Sequence, residues 1–99
     1  MDGLSPNFFA RSIREDEVFL EAKAKLGISH PRLDDVMSGF GLSVALNPER
    51  YPVAVEGTNL RLVKTEAREG VPGFLIYYTY DEEYVHLLNI ELVVEDSVF

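Results

Sequence analysis

GFLIYYTYDEEYVHLLNIELVV, Gly73–Val94, reads as two extended runs joined at an acidic turn. β-Branched and aromatic side chains fill Phe74–Tyr80 and Tyr84–Val94, and Asp81-Glu82-Glu83 interrupts the apolar pattern between them. That arrangement predicts an antiparallel hairpin with an exposed turn. The stretch holds four of the chain's five tyrosines and not one lysine or arginine. A sheet built on it offers rings and carboxylates, with no cation for a phosphate.

Upstream, Leu60–Thr65 (LRLVKT) predicts another strand, entered through the turn VEGTN and left through the loop EAREGVPG, whose Pro72-Gly73 pair signals a turn. Before it, Leu33, Val36, Met37, Phe40 and Val44 recur at i, i+3, i+4, i+7 and i+11, the apolar stripe of an amphipathic helix. Asn47-Pro48 ends that helix. Ser29 reads as its N-cap, with Pro31 in the first turn. Gly39 and Gly41 each weaken the helix by roughly 1 kcal/mol relative to alanine, which points to close packing there. A first helix is expected from about Arg14 to Leu26 on the stripe Val18, Phe19, Ala22 and Leu26. Ser12 and Glu15 would form its capping box, with Gly27 at the stop. Phe8–Ile13 reads as a short edge strand ahead of it. Strand, helix pair and meander make an α+β domain over residues 1–99, with the two-helix hairpin on one face of the sheet.

Composition bounds the function. Seventeen acids against nine bases give a net charge of −8, a poor balance for gripping nucleic acid. It favours solubility or docking onto a basic partner. With no cysteine, disulfides, thiol catalysis and thiolate metal sites are excluded, and two distant histidines without ligand-like spacing predict no zinc site. No cofactor-binding motif occurs; GTN and GVPG are turns without a strand-to-helix phosphate loop. The N-terminus lacks a signal-peptide pattern and no long uncharged apolar run spans a membrane, so a cytoplasmic location is expected.

Several strings resemble the RelE/ParE superfamily, the toxin halves of type II toxin–antitoxin pairs. LDDVMSGFGLSVALNPERYPVAVEGTNLRLVKT (Leu33–Thr65) is similar to the family's second helix, its Asn-Pro stop and the strand opening with a leucine–arginine pair. VPGFLIYYTYDEEYVHLLNIELV (Val71–Val93) is similar to its closing hairpin. The resemblance implies the α+β fold above, an antitoxin partner wrapping helices and sheet, and a target that is either the ribosome with its messenger RNA or DNA gyrase. Arg61 and Tyr78 stand where the family has an arginine and the hairpin tyrosine. Leu75 stands where the family usually has an arginine, Val93 or a neighbour stands where ribosome-dependent members carry one, and no lysine or arginine follows Arg68.

RNA cleavage needs a group to activate the 2′-hydroxyl, a cation for the developing charge and a proton donor for the leaving oxygen. The catalytic candidates are Arg61, Lys64, Arg68, Tyr78 and His86, with Tyr77 beside them; they are too few bases for a charged RNA groove. Each also has a structural reading. Arg61 and Lys64 fit solvated strand positions or ion pairs with Glu56 or Glu66. The tyrosines fit cross-strand packing. His86 alternates with Leu88 and Ile90 and is expected on their face, a core-edge imidazole. The expectation is a toxin-type protein acting by protein contact without ribonuclease chemistry; the alternative is a non-catalytic regulatory module docking its acidic sheet onto a basic partner.

Overall fold

The structure is a computed structural model that describes residues 10–68 and 70–94. The elements run β1 (Ser12–Glu15), α1 (Glu17–Ser29), α2 (Leu33–Leu46), a 3-10 turn at Pro48–Arg50, β2 (Arg61–Lys64), β3 (Phe74–Tyr80) and β4 (Tyr84–Leu92). The four strands form one sheet in the order β1-β4-β3-β2. The meander β2-β3-β4 is antiparallel as expected, but β1 joins it parallel to β4, with Ser12 opposite Tyr84 and Glu15 opposite Leu87. The fold is α+β with a mixed sheet.

Both helices lie on one face. Phe19 of α1 and Leu33, Phe40 and Val44 of α2 pack against Val63, Phe74, Ile76, Tyr78, Val85, Leu87 and Ile90 in a single cluster among the described residues. Those strand residues recur at every second position except between Leu87 and Ile90. There the register shifts: Tyr77 pairs with Asn89, whereas Tyr78 pairs with Leu87. The extra residue in β4 is a β-bulge, and it inverts the inward–outward alternation of everything on its far side. His86 therefore does not share the face of Ile90. It lies on the open face, and the core-edge reading fails for that reason.

The N-terminal third corrects further expectations. Ser12 and Glu15 are not a capping box but the ends of β1, whose four residues are all exposed. Ser12 N–H donates to Glu83 O at 3.0 Å and Asp16 N–H to Leu87 O at 3.0 Å, so the backbone of the segment is claimed by β4. The α1 helix starts at Glu17 with Asp16 at its N-cap and runs through Gly27 to Ser29. Ser29 is thus the end of α1 rather than the cap of α2; α2 starts at Leu33 behind Arg32, with no side-chain cap. Val18, assigned to the buried stripe, is 58% exposed, while Phe19 is fully buried. Of the expected strand Phe8–Ile13, residues 8 and 9 lie outside the described residues, as do the tail residues 95–99.

Glycine positions sort by geometry rather than by helix disruption. A Cβ on Gly39 or Gly41 would meet nothing within 4 Å, so close packing does not explain them. Gly73 is the tight one: a Cβ there would lie 2.7 Å from the Thr65 carbonyl oxygen. Gly70 adopts φ 73° in the turn closed by the reciprocal backbone bonds of Arg68 and Val71, a conformation that glycine holds without strain.

Candidate functional site

The 3-10 turn after α2 and the centre of β3 meet at a ring cluster. Asn47-Pro48 stops α2 and turns the chain so that the Pro48 carbonyl faces the sheet. Tyr78, fully buried, donates its hydroxyl to that carbonyl at 2.5 Å. Phe40 and Tyr51 pack edge-on to the Tyr78 ring, with centroids at 6.0 Å and 6.4 Å. Burial pushes the Tyr78 phenol up to about 12, although the Arg61 guanidinium pulls the other way. A phenol that is buried, protonated and already donating cannot serve as a proton donor to a substrate.

Arg61 is equally committed. Its Nη1 donates to Tyr51 O at 2.7 Å and Glu49 O at 3.3 Å, and its Nε and Nη2 donate to Asn59 Oδ1 at 3.4 Å and 3.3 Å. The guanidinium lies 5.5 Å from the Tyr80 ring centroid, and Arg11 lies 5.3 Å from the same ring. The expected ion pairs of Arg61 with Glu56 or Glu66 do not form. Instead a planar five-donor fork ties the loop after α2 to the start of β2, a task suited to arginine.

The other candidates stand apart from this cluster. His86 Nε2 lies 3.0 Å from Asp81 Oδ2 on the open face. Asp81 also accepts the backbone N–H groups of Glu83 and Tyr84, each at 2.8 Å, and these bonds, His86 first, hold its carboxyl down to about 2. The dyad fastens the β3–β4 turn. Arg14 lies 4.2 Å from the Tyr84 ring centroid on the neighbouring strand. Arg68, exposed, pairs with Glu66 at 3.5 Å. Lys64 lies at the edge of β2, among the residues lining the groove described next. The five catalytic candidates therefore do not converge: Tyr78 and Arg61 are committed to the chain after α2, two border a groove, and His86, in β4, braces a turn from the opposite face.

That groove runs between α2 and the end of β2, with a volume of about 690 Å³. One wall is the α2 stripe Asp35, Val36, Gly39, Phe40 and Ser43; the other is Val63–Glu66 with Arg68 and Val71. Arg32 and Arg50 flank the helical wall. Neither arginine figured among the candidates, because the groove's charged residues come from four separate segments. The helical spacing of the stripe was the one sequence signal for it.

Among the described residues no three of His, Cys, Asp and Glu come together to hold a metal. Nor is any helix of the described residues long and apolar enough to cross a membrane. No family model matches the chain, and no curated protein matches it.

Proposed function

We propose that this chain is a toxin-type protein of the RelE/ParE kind, the cytoplasmic partner of an antitoxin, which acts by binding a protein rather than by cutting RNA. The reading is supported by the order β-α-α-β-β-β and by the Leu33–Thr65 and Val71–Val93 strings quoted above. The observation that carries the non-nuclease half is the commitment of Tyr78 to the Pro48 carbonyl and of Arg61 to the Glu49 and Tyr51 carbonyls. Both groups that the resemblance matches to the family's strand arginine and hairpin tyrosine are spent on the fold. A protein target of the gyrase type suits such a scaffold better than ribosome-bound messenger RNA.

Induced expression in a bacterial host is the test. Growth arrest with intact messenger RNA, relieved by co-expression of an antitoxin encoded beside it, is the expected result. Degraded message on translating ribosomes, abolished by Arg61→Ala, would replace the reading with ribonuclease action.

A second reading, a regulatory module without toxicity, is favoured by the open sheet face. Leu62, Leu75, Tyr77 and Leu88 are half-buried there with no described helix against them. Unaffected growth, together with a basic protein captured through Tyr77 and Leu75, would select it.

A further inference from the structure

The α2–β2 groove reverses the sign of the molecule. The chain carries −8 overall, yet among the described residues four of its nine bases, Arg32, Arg50, Lys64 and Arg68, line this one concavity against two acids, Asp35 and Glu66. Beneath that rim the floor is apolar, built from Val36, Phe40, Val63 and Val71. We propose that the groove is a docking site for an acidic peptide segment of a partner protein, one that sets an apolar side chain on the floor and its carboxylates on the rim arginines. The inference goes beyond the toxin-type reading and does not depend on whether induction arrests growth.

The arginines are available for exchange. Arg32 pairs with Asp35 at 3.8 Å and Arg68 with Glu66 at 3.5 Å, and all four side chains are at least 65% exposed. Pairs this exposed contribute between nothing and about 1 kcal/mol, so an incoming carboxylate replaces them at little cost. Arg50 has neutral company: its Nη1 lies 3.5 Å from Ser43 Oγ and its guanidinium 5.9 Å from the Tyr51 ring centroid. Three guanidiniums around one apolar floor supply bidentate carboxylate recognition at the rim of a hydrophobic anchor site. The volume, about 690 Å³, lies within the range of pockets that bury several side chains.

The same features disfavour a nucleic acid as the occupant. A polyanion must lie along a surface that is acidic outside the groove, whereas a peptide places two or three charges only where the cations are. Binding of single strands also needs exposed rings for base stacking. Phe40 is 6% exposed, and the Tyr51 ring is flanked by Phe40 at 6.2 Å and by Arg50. Neither presents a bare face.

The test is selection of random twelve-residue peptides on the full chain, followed by binding of the enriched peptides to variants. The proposal expects enrichment of peptides that combine Asp or Glu with Leu, Phe or similar anchors. Their affinity should fall at least about tenfold in Arg50→Glu/Arg68→Glu and fall less in Arg50→Gln/Arg68→Gln, weaken with added salt, and be unchanged in Leu75→Ser on the other sheet face. Unfolding curves of the variants establish that each is folded, and the milder glutamine pair decides the matter if the glutamate pair is not. Enrichment of basic peptides, no enrichment, acidic peptides bound equally by the arginine variants, or displacement of them by a uridine dodecamer at lower concentration than by free peptide would each overturn it.

Discussion

The Tyr78 hydroxyl and the Pro48 carbonyl, thirty positions apart in the chain, are joined by a 2.5 Å hydrogen bond in the core. It ties the first residue of the 3-10 turn after α2 to the middle of the sheet. Tyr78→Phe leaves that carbonyl buried without a donor. The expected cost is about 1–3 kcal/mol of stability, read as a lower denaturant midpoint at unchanged slope. An unchanged midpoint would show the bond to be dispensable.

Arg61 satisfies two backbone carbonyls and one side-chain amide at once. Arg61→Lys keeps the charge but not the fork, so it should fail to restore what Arg61→Ala loses. Hydrogen exchange of the amides at 53–60 is the measurement: both variants should speed it, since Val53 pairs with Arg61 and Ala54 N–H donates to Leu60 O. Protection restored by lysine would mean that charge, rather than donor geometry, holds the loop.

Much of this architecture can be read without coordinates, and its failures have physical causes. The α2 helix and β3 obey one period from end to end, so Leu33, Phe40 and Val44, or Phe74, Ile76 and Tyr78, declare their face. Ser12–Glu15 has no period to declare: every side chain is exposed, the segment is a strand only because β4 takes up its backbone, and Ser-x-x-Glu happens to match a helix start. In β4 a single extra residue reverses the phase, which placed His86 on the wrong face. The groove was hidden for a third reason: Arg32, Arg50 and Arg68 are distant in sequence, and a net charge of −8 summed over the chain averages them away.

The Asp81 carboxyl is held at about 2, below its ordinary value of 3.8, by His86 and two turn amides. A depressed pKa stabilises the folded state above the unfolded value, and that contribution is lost as pH falls from about 4 through about 2. Asp81→Asn should therefore lower stability at neutral pH and flatten its fall in that window. Parallel stability–pH curves for the two proteins would remove Asp81 from the account.

Glycine substitutions should have opposite signs. Gly39→Ala, in mid-helix with open space around its added methyl, should stabilise by about 0.5–1 kcal/mol. Gly73→Ala drives a methyl to within 2.7 Å of the Thr65 carbonyl and should destabilise, with thermal midpoints moving apart accordingly. A matching shift in both would contradict the clearances described.

The place of β4 inside the sheet has a consequence for synthesis. Both β1 and the helix after it rest on a strand translated some seventy residues later. Until Tyr84–Leu92 has cleared the ribosomal tunnel, Phe19 of α1 lacks the strand on which its helix chiefly packs. Folding of this domain thus waits for Tyr84–Leu92, and chaperones that recognise exposed apolar segments can meet the stretch made before it.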